Sequence, residues 1–232
     1  MWLRRSRFPT YGENFARVQR LAAAALVTLF CALPPGAMAQ DRPVKIVALG
    51  DSLTAGLGLP AESAFPAKLQ KALNAKGIAV TIANAGVSGD TAAGGLARLD
   101  WSVPDGTDAV ILELGANDAL RGLDPKSAKA ALDGIVTKLT QRHIAVLLIG
   151  MYAPRNLGAD YVRDFDGLFP ALASAHGTVF YPFFLEGVAG DSKLNQPDGL
   201  HPTAAGVDII VAHILPKAEE LIARVRAPRT AK

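Results

Sequence analysis

The chain of 232 residues has a single cysteine, Cys31, and it lies within the first forty positions. A disulfide framework is therefore excluded, and if the N-terminal segment is removed no thiol chemistry remains. Aromatic residues make up only 6% of the chain, which counts against an extended aromatic groove of the kind that holds carbohydrate. No tandem repeat and no long tract of like charge occurs. The longest apolar run, 21-LAAAALVTLFCAL-33, has 13 residues. A helix of that length does not cross about 30 Å of hydrocarbon.

That run has the flanks of an export signal instead. Arg4, Arg5, Arg7, Arg17 and Arg20 precede or adjoin it against one acid, Glu13, and Pro34, Pro35 and Gly36 break it. Ala37-Met38-Ala39 then supplies small residues at the two positions a signal peptidase reads. We expect a secretory signal peptide over 1–39, a mature start at Gln40, and export to the periplasm. Thr28-Leu29-Phe30 before Cys31 is no lipoprotein context. Of the 24 basic and 21 acidic residues, five and one lie in residues 1–40, so 19 and 20 remain in the mature part. The basic isoelectric point belongs to the leader, and nucleic-acid binding, which needs a basic patch on the folded domain, is not expected.

What is present is a regular alternation. Hydrophobic residues make up half the chain, enough for a sizeable core. Short runs rich in Val and Ile, 44-VKIVAL-49, 78-IAVTIA-83, 108-DAVILEL-114, 144-IAVLLIG-150 and, more weakly, 178-TVFYP-182, read as strands apolar on both faces. Amphipathic stretches at about 62–76, 91–99, 125–141, 160–175 and 203–226 read as helices. The third of these has Asp124 to cap it and Pro125 in its first position. Alternation with short links predicts one α/β domain over 40–232, a three-layer α/β/α sandwich around a central, mainly parallel five-stranded sheet. In such sheets ligands bind beyond the carboxyl ends of the strands. Four polar, glycine-bearing segments fall there: Gly50-Asp51-Ser52, 84-NAGVSGDT-91, 115-GAND-118 and, after the last strand, 198-DGLH-201.

A serine hydroxyl is a weak nucleophile until a base adjoins it and a third group orients that base. Ser52 alone reads more simply as a helix cap, as most serines at such a position are, and the segment lacks the Gly-x-Ser-x-Gly form of a nucleophile elbow. Of the four histidines, His143, His176 and His213 read as cap, surface or packing residues. His201 follows Asp198 by three residues on a tight turn, from which a carboxylate reaches Nδ1 and leaves Nε2 facing a hydroxyl. Asp198 bonded only to its own backbone is the plainer alternative, and a metal pair lacks a third ligand nearby. Acyl transfer also needs donors for a developing oxyanion. The backbone N–H groups of Ser52 and Gly89 and the side-chain amide of Asn117 are candidates; a turn glycine and a loop-bracing amide are their bland readings. Asp51, Asp90 and Asp118 read as loop-holding acids.

The segments 49-LGDSLTAG-56, 84-NAGVSGDT-91, 113-ELGANDALRG-122 and 198-DGLHP-202 resemble, in order, the four blocks of the SGNH (GDSL) hydrolases. The family's four defining residues fall on Ser52, Gly89, Asn117 and His201. Further stretches, 94-GGLARL-99, 154-PRNLGADYVRDF-165 and 183-FFLEGVAG-190, are similar to its bacterial periplasmic branch of acyl-CoA thioesterases, lysophospholipases and arylesterases. The resemblance implies a flavodoxin-like fold, a Ser52–Asp198–His201 triad, an oxyanion hole of Ser52, Gly89 and Asn117, and hydrolysis of small acyl esters or thioesters with no metal or other cofactor. The loop 150-GMYAPRNLGAD-160 is expected to set specificity. Carbohydrate deacetylation or acyl transfer on the same site, and a non-enzymatic periplasmic binding module, are the alternatives.

Overall fold

The structure, a computed structural model, describes residues 42–228. The export signal read over 1–39 and the start at Gln40 lie outside those residues. Five strands form one sheet: β1 (Val44–Gly50), β2 (Val80–Gly86), β3 (Ala109–Glu113), β4 (Ala145–Ile149) and β5 (Val179–Tyr181). Their order is β2-β1-β3-β4-β5, and every neighbouring pair is parallel. The β-branched and leucine-rich centres of β1, β3 and β4 are buried throughout, as strands covered on both faces must be.

Among the described residues eight α-helices accompany them: α1 (Ser52–Ala55), α2 (Phe65–Ala75), α3 (Ala92–Ala97), α4 (Leu99–Ser102), α5 (Ala116–Leu120), α6 (Pro125–Gln141), α7 (Ala159–His176) and α8 (Ala204–Arg226). The chain steps from β1 outward to β2, then returns past β1 to β3, β4 and β5. Right-handed crossovers running in opposite directions put their helices on opposite faces. Accordingly α2 packs against α8, while α6 packs against α3 and α7. Phe65, Leu69 and Leu73 of α2 meet the sheet from one side, and Leu132, Ile135 and Leu139 of α6 belong to the core on the other. Each such side chain contributes about 1.5–3 kcal/mol on burial. The reversal of direction leaves a crevice beyond the carboxyl ends of β1 and β3, where Gly50 and Glu113 lie side by side.

Several boundaries differ from those the sequence predicts. β2 starts at Val80 rather than Ile78 and runs on to Gly86. Gly77 takes a left-handed φ of 76°, and Ile78 N–H donates to Leu73 O, so Ile78 closes the helix before it. Asn84, Ala85 and Gly86, expected in a loop, pair with Ala48, Leu49 and Gly50. The helix expected over 91–99 is two, broken at Arg98. The helix expected from 62 starts at Phe65, after a 3-10 turn over Ala61–Ser63. The third expected helix begins where predicted, with the Asp124 carboxylate accepting from Lys126 N–H at 3.0 Å.

The outer edge of β2 is closed by side chains. Val80 N–H donates to Asn74 Oδ1, Ile82 N–H to Gln70 Oε1 and Gly86 N–H to Asn84 Oδ1. These amides occupy donors that would otherwise template a further strand.

Candidate active site

The turn after β1 is decided by Asp51. Its Oδ1 accepts Leu53 N–H at 3.0 Å, so Asp51 caps α1 and Ser52 is the first helical residue. The capping role that competes for Ser52 in the sequence therefore falls to its neighbour, and the serine hydroxyl is left for another partner. Close packing requires the flanking glycine: a Cβ on Gly50 would lie 2.1 Å from Thr54 Oγ1 and 2.7 Å from Glu113 O.

That partner comes from 149 residues away. Ser52 Oγ lies 2.8 Å from His201 Nε2, and His201 Nδ1 lies 2.6 Å from Asp198 Oδ2. A carboxylate can only accept, so Nδ1 carries the ring hydrogen and Nε2 accepts from the serine hydroxyl. Asp198 Oδ1 also takes Leu200 N–H at 2.9 Å and His201 N–H at 3.0 Å. Gly199, at φ 71°, supplies the left-handed turn that folds the carboxylate back. The His201 N–H, then the Leu200 N–H and the imidazole, hold the half-exposed Asp198 carboxyl down at about 2. The loop is braced behind: Gln196 N–H donates to His201 O at 2.7 Å, and Gln196 Nε2 donates to Leu57 O at 2.7 Å and Pro202 O at 3.0 Å.

Gly89 occupies a left-handed turn at φ 86°, and its carbonyl accepts from Arg121 Nη2 at 2.8 Å. Asn117 stands on α5, a short helix where the sequence suggests a loop, entered through Gly115 at φ 116°. Its Nδ2 donates to Asp51 Oδ2 at 3.1 Å and to Asp90 O at 2.9 Å. The bracing role weighed for Asn117 is thus present, and both hydrogens of its amide have acceptors within the protein.

Ser52, Gly89, Asn117 and His201 line one cavity of about 610 Å³, within the range of about 300–1,000 Å³ common for small-ligand sites. Asp198 sits behind His201 and does not line it. The remaining wall is mostly apolar, with Leu57, Leu120, Tyr152, Phe183 and Leu200 prominent. Met151 through Arg155, from the loop expected to set specificity, form one side. Tyr152 stacks on Phe183 with ring centroids 4.5 Å apart, and the Arg155 guanidinium lies 5.3 Å from the Tyr152 ring centre.

The other histidines are elsewhere. His176 Nε2 meets Asp133 Oδ1 at 2.6 Å, His213 Nδ1 meets Glu186 O at 3.2 Å, and His143 holds a left-handed backbone at φ 58°. Asp118 accepts Ala92 N–H at 2.8 Å, and Asp90 is ion-paired with Arg98; both are loop-holding, as read. Among the described residues no group of three or more His, Cys, Asp or Glu could hold a metal, and no helix is long and apolar enough to cross a membrane.

Two features under the serine were not legible in the sequence. Glu113 is fully buried beside Asp51 and accepts from Thr54 Oγ1 at 2.7 Å. Burial, then the neighbouring Asp51 charge, pushes its carboxyl well above the ordinary range. Burial likewise pushes Asp51 up to about 6, against the pull of Leu53 N–H and Asn117. Arg98, also buried, bonds to four groups around the ends of β1 and β2. Its only sequence signal is a cation near the end of the block 94-GGLARL-99.

Comparison with known proteins agrees with this geometry. The model of the GDSL-like Lipase/Acylhydrolase family matches residues 48–209. Esterase TesA of Pseudomonas aeruginosa is 38% identical over 184 residues, covering 79% of this chain and 92% of the relative. The thioesterase 1/protease 1/lysophospholipase L1 of Escherichia coli K12 is 35% identical over 158 residues, covering 68% and 74%. The crystal structure of AlinE4, an SGNH-hydrolase family esterase, superposes with a TM-score of 0.66 at 46% identity, covering 81% of this chain and 98% of that one. With the five-stranded parallel sheet and the motif residues gathered on one cavity, these matches show that the chain belongs to the GDSL-like lipase/acylhydrolase family, the SGNH hydrolases, and is an esterase/thioesterase enzyme of that family.

Proposed function

We propose that the protein is exported, loses residues 1–39, and hydrolyses small acyl esters and thioesters in the periplasm through a Ser52–His201–Asp198 triad and an acyl-enzyme. The observation that carries the reading is the unbroken contact chain from Ser52 Oγ to His201 Nε2 at 2.8 Å and from Nδ1 to Asp198 Oδ2 at 2.6 Å. Ser52 Oγ attacks the acyl carbonyl while its proton passes to Nε2. The carbonyl oxygen becomes an oxyanion held by the backbone N–H groups of Ser52 and Gly89 and by Asn117. His201 then returns the proton to the leaving oxygen or sulfur, and the acyl group stays on Ser52. Water enters, gives a proton to Nε2 and attacks the acyl-enzyme, and the acid leaves as Oγ regains its hydrogen. Asp198, a carboxylate throughout, fixes the imidazole tautomer and balances the charge it carries between steps.

Asn117 enters this scheme as a shared donor. Its amide hydrogens already have acceptors in Asp51 and Asp90, so it reaches the oxyanion by dividing one of them. An apolar acyl group suits the leucine- and phenylalanine-lined wall better than a sugar does, which favours ester or thioester hydrolysis over carbohydrate deacetylation.

The test is active-site titration. A serine-directed phosphonate should label Ser52 stoichiometrically, and p-nitrophenyl esters and acyl thioesters should give an acyl-enzyme burst equal to the labelled fraction. Labelling at another residue, or turnover with no labelling, overturns the reading. Mass analysis of protein recovered from the periplasm should start at Gln40; an intact leader overturns the export proposal.

A further inference from the structure

Arg98 joins the pieces of the site that the reaction needs in register. Its guanidinium lies between the carboxyl ends of β1 and β2 and the turn that bears Gly89, with 7% of the side chain exposed. Nη2 donates to Gly50 O at 2.8 Å, two residues before Ser52. Nη1 donates to Ala85 O at 2.8 Å, at the end of β2, and to Ser102 Oγ at 3.0 Å. Nε donates to Asp90 Oδ2 at 2.5 Å, next to Gly89. Gly50 O also accepts Val87 N–H at 3.0 Å, so the strand end that presents the serine and the turn that presents Gly89 are tied at both ends.

The tie extends to Asn117. Asp90 offers its carboxylate to Arg98 and its backbone carbonyl to Asn117 Nδ2. Room for this is built in: a Cβ on Gly94 would sit 2.7 Å from Asp90 Oδ1. A buried ion pair is weak evidence for stability, since desolvation offsets most of the attraction. What a planar guanidinium supplies is a fixed fork, several donors aimed at once at different carbonyls and a carboxylate. That is a geometric service, and the three oxyanion donors proposed above are the groups whose relative positions it sets.

We infer that Arg98 is a positioning residue: it locks the Gly50–Ser52 turn, the Gly89 turn and, through Asp90, the Asn117 amide into the spacing that stabilises the oxyanion. This rests on the proposed role of those donors. A misplacement of about 1 Å in such a site lowers turnover by roughly 10²-fold.

The experiment compares Arg98→Lys, which keeps the charge and loses the fork, with Asp90→Asn, which keeps Arg98 on Gly50 and Ala85 but weakens its hold on the Gly89 turn. A distant core variant, Leu139→Ala, serves as a control for destabilisation. Each is measured for kcat per phosphonate-titrated site, KM and melting temperature. We expect both site variants to lose roughly 10–10²-fold in kcat per titrated site with KM nearly unchanged, and Leu139→Ala to melt lower with normal kcat per site. In Arg98→Ala, millimolar guanidinium should restore part of kcat and methylammonium should not. Wild-type kcat per titrated site in whichever of Arg98→Lys and Asp90→Asn folds overturns the inference and leaves the triad reading intact. Absence of Ser52 labelling in the unaltered enzyme overturns that reading itself.

Discussion

Two acids flank the Ser52–His201 pair, one bonded to His201 and one preceding Ser52, and their surroundings treat them in opposite ways. In front, Asp198 stands half exposed on a loop, bonded to two backbone N–H groups and the imidazole, and its carboxyl is held down at about 2. Behind, Asp51 is buried between the cap of α1 and Asn117, with Glu113 deeper still, and burial lifts its carboxyl to about 6. Side-chain type does not separate them; solvation and the donors in reach do. The front region keeps a permanent charge where a cation forms during the proposed reaction. The back region disfavours ionisation of its carboxyls by burial, and uses their oxygens as acceptors: Asp51 for the cap of α1 and the Asn117 amide, Glu113 for the Thr54 hydroxyl.

The largest expected effect tests whether the front relay acts as a unit. Ser52→Ala and His201→Ala should each lower kcat by roughly 10⁴-fold or more, and the double variant should be hardly worse than either. A double variant that multiplies the two losses would show that they do not share one step. Asp198→Asn comes next, with a loss of roughly 10⁴-fold and a small drop in melting temperature near neutral pH, because the group is half exposed. The stability that comes with its lowered ionisation is present above the ordinary value of 3.8 and disappears as pH falls through about 2. Thermal melts of wild type and Asp198→Asn should therefore converge in strong acid; parallel curves would mean the carboxylate is not so held.

Asn117→Ala lies between the two regions. As an oxyanion donor it should lower kcat by roughly 10²–10³-fold with little change in KM. Because its amide also serves Asp51 Oδ2 and Asp90 O, the melting temperature should drop as well. Normal kcat per titrated site together with that drop would leave Asn117 a brace alone.

The smallest effect sharpens the back region. Asp51→Asn keeps an acceptor for Leu53 N–H and loses the one facing Asn117, a bond worth about 0.5–1.5 kcal/mol, so kcat should fall by no more than about tenfold. The pH dependence of stability is the clearer readout. A carboxyl whose folded value is raised to about 6 from 3.8 favours the fold below pH 3.8, and that contribution is lost as pH rises through about 6. Asp51→Asn should thus gain in melting temperature relative to wild type between about pH 4 and pH 7. A gap that does not change with pH would show that Asp51 ionises as freely in the fold as outside it.

Read along the chain, the strands, the parallel sheet and the four site blocks were legible because each is a local pattern: apolar on both faces, or glycine and acid around one functional residue. Ser52, Gly89, Asn117, Asp198 and His201 could be named as candidates from these blocks taken together, and the three-residue spacing of Asp198 and His201 pointed to the contact between them. Features too short to leave a periodic signal, or made by segments distant in the chain, were not legible. That Asp51 and not Ser52 caps α1 depends on a four-residue helix too short to leave a periodic signal. That β2 runs to Gly86 depends on pairing with Ala48, Leu49 and Gly50, more than thirty residues earlier. Glu113 and Arg98 look like ordinary charges in their own segments. Only the closing of the sheet against its helices removes them from water, and a buried charge must then find partners wherever the fold has placed them. The sequence by itself determined which chemistry the site could hold, since that resides in residue types and short turns; the tertiary structure alone decided how the donors and the nucleophile are kept in register, since that is set by distances between segments the chain does not join.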